Sequence, residues 1–321
     1  MFVVTGAAGF IGSCMVSRLL SSGIKKVIAV DDFSREDKNR NILSIPSESR
    51  IERSVFFEWL SKNYDDVEAI IHLGARTDTT EFDKSVFDEL NLSYSCKVWE
   101  ACVQYNIPLL YASSAATYGE GEFGYKDDHD LIPKLKPLNP YGESKNEFDK
   151  WVLKQKHHPP FWAGFKFFNV FGPNEYHKGR MASVVYHSFK QIHQTGLVKL
   201  FRSHRLDFDD GMQLRDFVFV GDVVEILFRM IQEKPASGIY NLGSGHARAF
   251  LHLAKAVFSA LGLEPRIEFV DTPEDIRDKY QYFTEADMGK LMSALPGFVF
   301  TPLEDAVGIY VSDYLKNGLY Y

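Results

Sequence analysis

The sequence predicts an α/β protein: a doubly wound parallel sheet with a smaller, discontinuous α/β substrate-binding domain. Three observations carry this. Short apolar runs of strand length alternate with amphipathic stretches through the first half of the chain, a glycine-rich turn joins the first run to the first helix, and the rhythm breaks after Asn169 into irregular, charged segments. The chain has 321 residues. That exceeds the roughly 250–300 residues at which one core stops growing, so a second lobe is expected.

Strands are predicted at "FVVTG" (2–6), "KVIAVDD" (26–32), "EAIIHLGA" (68–75), "PLLYASSA" (108–115) and "WAGFKFFNV" (162–170). Their near-continuous apolar character suits parallel strands covered on both faces. Between them, "GFIGSCMVSRLLSSG" (9–23) has helical spacing and a glycine stop, and the segment 87–106 is long enough for a helix that ends before Ile-Pro. Past Asn169 come a Gly-Pro turn, a helix over 181–196 and the charged stretch "FRSHRLDFDDGMQ" (201–213). "RDFVFV" (215–220) reads as a strand resuming the first domain, with Asp222 placed to cap the next helix. A helix near 249–261 and a strand near 266–270 lead into the tail.

Hydrophobic residues make up 45% of the chain and charged residues 25%, ordinary values for a globular protein. The net charge of −7 argues against nucleic acid or an anionic membrane as the main partner, so a site for an anionic substrate must be locally basic. Cys14, Cys96 and Cys102 show neither C-x-x-C nor Cys/His ligand spacing, so no disulfide framework and no metal site are expected. "KHHPP" (156–160) reads as a helix end and turn. With no basic n-region followed by an apolar h-region, and no run of about 18 apolar residues, a cytoplasmic location is expected.

"TGAAGFIG" sets Gly6, Gly9 and Gly12 at three-residue intervals after an apolar strand and at the mouth of a helix. Glycine permits the tight turn and the close approach of backbone to a pyrophosphate, and the helix N-terminus offers free N–H groups and about half a positive charge. Asp31 follows Gly12 by 19 residues, at the end of the second strand, where an acid that holds a ribose should stand. The pattern is that of a Rossmann dinucleotide site. Asp31 suits NAD, but Arg35, Lys38 and Arg40 are cations that would hold a 2′-phosphate, so NADP is favoured, with NAD the alternative. The expected division is residues 1–168 with about 214–242 as the NADP-binding domain, and about 169–213 with 243–321 as the substrate-binding domain.

"NPYGESK" (139–145) places Tyr141 and Lys145 four apart on one helical face. A free tyrosine titrates near pH 10, roughly three units too high for a neutral-pH base, or about 4 kcal/mol. Lys145 and an oxidised nicotinamide are positive charges able to supply part of that shift. Ser114, at the strand end "YASSAATYG", is the donor that would orient a substrate hydroxyl.

In this order, G-x-x-G-x-x-G, then Ser, then Y-x-x-x-K, the sequence resembles the extended short-chain dehydrogenase/reductase family, in its NAD-dependent epimerase/dehydratase branch. "LYASSAATYG", "FNVFGPNEYHKGRMASVVYH", "RDFVFVGDV", "GIYNLGSG" and "KYQYFTEAD" carry the likeness over nearly the whole chain, toward the epimerases of that branch that act on an ADP-linked heptose. The resemblance implies an isomerase with bound NADP, an ADP-sugar substrate and a homo-oligomer, a pentamer in its nearest branch. It implies cofactor contacts from Gly6, Gly9, Phe10, Ile11, Gly12, Asp31, Asp32, Lys38, Leu73, Gly74, Ala75, Arg76, Thr77, Asn91, Tyr141, Lys145, Val170 and Lys178. For the sugar nucleotide it implies Ser114, Asn169, His187, Phe201, Arg202, Ser203, His204, Arg215 and Tyr280, and Arg180 is a further candidate of this chain's own.

The chemistry explains why such machinery is needed. A carbon that bears a hydroxyl and is not α to a carbonyl cannot be inverted by simple proton removal, so oxidation to a ketone, rotation and return from the other face are required. The alcohol proton then sits in different places in the two orientations. By the resemblance, Tyr141 serves one epimer and Lys178 the other, and burial beside Lys145 and the nicotinamide charge would depress the Lys178 pKa.

Two departures fall on the substrate side: Arg180 replaces a small residue after "HKG", and the loop at 201–213 is longer and poorer in glycine. They keep open a UDP- or GDP-sugar epimerase or reductase. A catalytically silent dinucleotide-binding regulator is opposed by the presence of Ser114, Tyr141 and Lys145 together. A 4,6-dehydratase is opposed by Ala115 and Ala116, where an acid pair would stand.

Overall fold

The computed structural model describes residues 1–77, 81, 83–273, 277 and 281–321. Seven strands form one sheet: β1 (Phe2–Thr5), β2 (Val27–Asp31), β3 (Arg50–Glu52), β4 (Ala69–His72), β5 (Leu109–Ser114), β6 (Trp162–Phe167) and, far later in the chain, β10 (Gly238–Leu242). Their order is β10-β6-β5-β4-β1-β2-β3, every pairing parallel. The chain starts in the middle and winds outward both ways, so the crevice lies at the carboxyl ends of β1 and β4, where the direction of winding reverses.

Helix α1 (Phe10–Ser21) follows β1, α2 (Phe56–Asn63) follows β3, α3 (Tyr94–Gln104) leads into β5, and α4 (Pro140–Leu153) leads into β6. Asn139 caps α4, its side chain accepting from the Gly142 N–H, and Pro140 fits the first turn, where its missing N–H would lack a partner anyway. Tyr111 packs edge-on to Phe148 of α4 with ring centres 4.9 Å apart. It has room only because residue 164 on β6 is glycine, where a Cβ would lie 2.2 Å from the Tyr111 ring.

Beneath α4 lies a fully buried ion pair, Lys166 to Asp149 at 2.7 Å. The Asp149 carboxylate also accepts from the Ser113 hydroxyl at 2.6 Å and the Tyr111 hydroxyl at 3.2 Å, while Lys166 donates to Thr117 Oγ1 at 2.7 Å. These bonds lock the helix that carries Tyr141 and Lys145 onto β5 and β6.

The remaining strands form two small sheets. β7 (Asn169–Phe171), β9 (Leu214–Phe219) and β11 (Ala247–Ala249) are ordered β11-β9-β7, and β8 (Val198–Phe201) pairs in parallel with β12 (Ile267–Val270). Helices α5 (Val184–Thr195), α6 (Val220–Glu233), α7 (Phe250–Leu261), α8 (Gly289–Ala294) and α9 (Leu303–Ile309) complete the described elements of eight or more residues together with two shorter ones.

Two expectations are corrected, on the strand at 162–170 and on Asp222. The strand predicted over 162–170 is two strands: it breaks at Phe168, and Asn169–Phe171 leaves the large sheet to pair with β9. "RDFVFV" forms the expected strand, as the centre of the three-stranded sheet and not as a member of the large one. Asp222 is not the cap of α6. It lies inside the first turn, and its carboxylate accepts the Thr301 N–H at 2.9 Å and hydroxyl at 2.8 Å, fastening the distant 301 segment. In addition, α5 begins at Val184, capped by Ser183, and residues 176–181 form a separate tight turn.

Candidate active site

The glycine turn is built as its chemistry requires. Gly6 has φ +67, a left-handed conformation, and a Cβ there would lie 2.6 Å from the Gly74 backbone. At Gly12 a Cβ would sit 2.0 Å from the Gly6 carbonyl oxygen. The Gly9 N–H donates to that same carbonyl at 2.9 Å. Gly9 caps α1 without a side-chain bond and no acid lies in the first turn, so the leading N–H groups, at Phe10 and Ile11, are left for an anion. This cradle fits the pyrophosphate of a dinucleotide.

Asp31 is buried at the end of β2. Its Oδ2 accepts the Ala8 N–H of the glycine turn at 2.9 Å, and its Oδ1 accepts the Asp32 N–H at 2.7 Å and pairs with Lys38 at 2.5 Å. The acid thus props the turn and holds Lys38 at the same edge. Asp32 accepts the Ser34 N–H at 3.1 Å, which with the Ser34 hydroxyl holds its carboxyl below the ordinary value. Arg35 pairs with Asp37 at 2.6 Å and reaches the His177 carbonyl at 3.4 Å, and Arg40 is exposed. Asn41 was not anticipated. Its buried side-chain amide donates to the Ala8 carbonyl at 3.0 Å and the Asn174 carbonyl at 2.9 Å, joining the cofactor turn to the loop that carries Lys178.

The segment Leu73, Gly74, Ala75, Arg76 and Thr77 leaves the end of β4 and is held by a continuous hydrogen-bond chain. The Gly74 N–H donates to Thr5 Oγ1 at 3.3 Å, and the Thr5 hydroxyl donates to His72 Nδ1 at 2.6 Å. His72 Nε2–H then donates to the Ser95 hydroxyl at 2.9 Å, which donates in turn to the Asn91 carbonyl. This direction of donation requires neutral His72, protonated on Nε2. Burial, with Lys145 nearby adding to it, lowers its pKa to about 3.

Asn91 sits in a widened helical turn, Asp88–Ser93, before α3. Its side chain clasps the Arg76 backbone, accepting from N–H at 2.7 Å and donating to the carbonyl at 3.0 Å. It also donates to the Ser144 hydroxyl at 3.0 Å, which donates to the Tyr141 carbonyl at 2.8 Å. The cofactor-side loop and the Tyr141 helix therefore share one clamp. Thr5, His72, Ser95 and Ser144 carried no sequence signal, because each is an ordinary residue until the fold brings it to its partner.

Ser114 ends β5 next to Tyr141. Burial raises the Tyr141 pKa, and a hydrogen bond with the Ser114 hydroxyl opposes it. Lys145 is buried, donates to the Ala112 carbonyl at 2.9 Å, and burial lowers its pKa to about 8 against a pull from Asp149. A phenol, an amine and a hydroxyl thus meet at the end of the central strands, poised for proton transfer to and from an alcohol.

Lys178 lies in the turn Tyr176–Met181 with its ammonium 5.1 Å above the Phe10 ring, at the start of α1. Burial lowers its pKa. The neighbouring charge is Glu175, which raises it, and not the Lys145 expected from sequence. Glu175 itself is buried, accepting from Ser183 N–H at 2.5 Å and hydroxyl at 2.6 Å. Arg180 and Asn169 are exposed, Val170 is half-buried on β7, and His187 Nε2 donates to the Arg180 carbonyl at 3.3 Å.

Arg215 turns its guanidinium toward the Leu214 carbonyl at 2.9 Å and the Gln281 carbonyl, 5.7 Å from the Phe250 ring centre. Phe201 ends β8. Past it Arg202 faces Asp271 at 3.3 Å, the Ser203 N–H donates to Asp210 at 2.8 Å, and His204 and Tyr282 bond side chain to side chain at 2.8 Å. Tyr280 lies outside the described residues. No cluster of metal-binding side chains occurs among the described residues. Nor is any described helix long and apolar enough to cross a membrane.

With the glycine cradle, the buried Asp31 and the Ser114–Tyr141–Lys145 group in place, the chain belongs to the NAD dependent epimerase/dehydratase family of enzymes, whose model matches residues 2–243. Over its length it is 46% identical to the ADP-L-glycero-D-manno-heptose-6-epimerase of Fusobacterium nucleatum, covering 99% of this chain and 98% of that protein. It is 44% identical to the protein of the same name from Nitratidesulfovibrio vulgaris, covering 98% of each. Among solved structures, the Helicobacter pylori enzyme of that name shares the fold, with TM-score 0.81, 24% identity, and coverage of 97% of this chain and 95% of that one. MoeE5 bound to UDP-glucuronic acid and NAD aligns at TM-score 0.77 and 25% identity over 99% of each.

Proposed function

We propose that this chain is an isomerase that inverts C6 of the heptose in ADP-D-glycero-D-manno-heptose to give ADP-L-glycero-D-manno-heptose, through a transient 6-keto sugar, for lipopolysaccharide core synthesis. The observation that carries the reading is the 46% and 44% identity, over nearly the full chain, to two proteins named for this reaction. We take the cofactor to be NADP, because Lys38 stands beside Asp31 at the edge where a 2′-phosphate would lie. The proposed division of labour has residues 1–168 with about 214–242 holding the dinucleotide and about 169–213 with 243–321 holding the sugar nucleotide. The working form is a cytoplasmic homo-oligomer, checked by sedimentation.

When bound, the nicotinamide supplies reversible oxidation at the sugar carbon. Every proton movement belongs to the chain. Ser114 holds the C6 hydroxyl, and Tyr141 accepts its proton in one epimer. For this, the Tyr141 pKa must fall from its buried, raised value, and the positive charges of Lys145 and the oxidised ring would act in that direction. After rotation the C6 oxygen faces the other side, where Lys178, with its pKa already lowered by burial, is the second acid/base. Arg215 supplies a guanidinium suited to a diphosphate.

The test is incubation with ADP-D-glycero-D-manno-heptose and NMR of C6. Inversion is expected; an unchanged sugar with turnover of a UDP-sugar instead would overturn the assignment. Lys178→Met should lose most epimerisation while retaining fold and dinucleotide binding, and near-normal turnover rejects the second-base role.

A further inference from the structure

We propose that Asn174 and Tyr176 are positioning residues for Lys178, and that the segment Leu319–Tyr321 is the strap that fixes them. The inference rests on the reading of Lys178 as the second acid/base.

Within the loop from Gly172 to Ser183, the buried Glu175 carboxylate accepts from the Ser183 N–H and hydroxyl and closes the loop on itself. Asn174 and Gly179 both have left-handed backbone, φ 74 and φ 54, and no residue of the turn Tyr176–Met181 is fully buried. Lys178 is tied to its neighbours by one local bond, from its N–H to the Glu175 carbonyl at 2.9 Å. Its place therefore depends on what holds residues 174–176.

Besides the Glu175–Ser183 closure and the contacts of Arg35 and Asn41 with His177, two separate groups do so. On the cofactor side, the Asn174 side chain donates to Ser13 Oγ of α1 at 2.9 Å, and the Asn174 backbone carbonyl accepts from Asn41 at 2.9 Å. On the other side is the strap. The Tyr321 N–H donates to Asn174 Oδ1 at 2.8 Å, the Tyr176 hydroxyl donates to the Leu319 carbonyl at 2.7 Å, and the Tyr176 and Tyr320 rings meet edge-on at 5.2 Å. The strap is itself anchored, with the Leu319 N–H on the Tyr314 carbonyl at 3.0 Å and the Tyr321 ring stacked on Tyr314 at 6.1 Å.

One asparagine thus joins α1, the Lys178 loop and a segment from the far end of the chain. The single Asn174 side chain uses its amide toward α1 and its carbonyl oxygen toward the strap, so the loop is held from both sides through one residue. Ser114, Tyr141 and Lys145 sit on β5 and α4, fixed by the Asp149–Lys166 pair and the Asn91 clamp, with no bond to the strap. Loss of the strap should displace Lys178 and spare Tyr141. A displacement of about 1 Å at a reacting group lowers rate on the order of 100-fold.

The experiment compares three proteins with the parent: a chain ending after Gly318, Tyr176→Phe, and Lys178→Met as reference. Two things are measured: single-turnover formation of the keto sugar from each of the two epimers, and deuterium exchange of the amides at 174–181. The truncated chain and Tyr176→Phe are expected to slow keto formation from one epimer about tenfold or more, leave the other within about twofold, and raise exchange at 174–181. Equal slowing from both epimers, no slowing from either, or unchanged exchange overturns the strap. Should the truncated chain fail to fold, Tyr176→Phe, which removes one hydroxyl from a half-buried ring, decides the matter alone. The Lys178→Met reference separates the two ideas: if it slows neither epimer or both, the second-base reading falls, whatever the exchange data say of the strap.

Discussion

His72 ties the acid stability of this protein to the geometry of its cofactor loop. In the fold it is neutral, with its Nδ1 lone pair taken by Thr5 and its Nε2–H given to Ser95. A second ring proton would confront the Thr5 hydroxyl, leaving that hydrogen without an acceptor while the Gly74 N–H competes for the same oxygen. The folded pKa of about 3 lies below the ordinary 6.5, chiefly through burial. Between those values the unfolded chain binds the proton and the folded chain does not, so stability rises with pH across the window. It is fully recovered above 6.5 and lowest below 3. At pH 5 the linkage removes about 2 kcal/mol, and over the whole window on the order of 5 kcal/mol.

The perturbation is His72→Gln, which has no titration here and keeps an amide of similar reach. The assay is urea unfolding of parent and variant at about pH 7.5 and about pH 5. The variant should be less stable at the higher pH through its altered hydrogen bonds, and the gap should narrow by about 2 kcal/mol at the lower one. Because the carboxylates titrate alike in both proteins, the difference isolates the imidazole. A gap that stays constant with pH would refute a neutral, proton-excluding His72.

Gly12→Ala drives a Cβ to 2.0 Å from the Gly6 carbonyl oxygen, and the start of α1 must move away to relieve it. Dinucleotide affinity, read by titration calorimetry, should fall by on the order of 100-fold. Lys38→Ala removes the cation paired with Asp31 and should weaken NADP more than NAD, by about tenfold in the ratio of their dissociation constants. Lys166→Met strands a fully buried Asp149 carboxylate, and denaturant unfolding should register a loss of about 3–5 kcal/mol.

Local rules decided much of this protein from sequence alone. Continuous apolar runs such as "VIAVD" are buried strands because both faces of a parallel sheet are covered. Gly6 and Gly12 admit a turn that no side chain allows, and Tyr141 and Lys145 share a face because a helix repeats every 3.6 residues. Each of these follows from residues close together in the chain. What the tertiary structure decided involves partners that are far apart: Thr5 and His72 are 67 residues apart, Asn91 and Ser144 are 53 apart, and Asn174 and Tyr321 are 147 apart. The break at Phe168 belongs to the same class, since Asn169–Phe171 leaves the large sheet only because β9 is there to receive it. A threonine, a histidine or an asparagine has many polar partners open to it in the unfolded chain. Only folding removes water from all but one, and that selection turns an ordinary residue into part of the site.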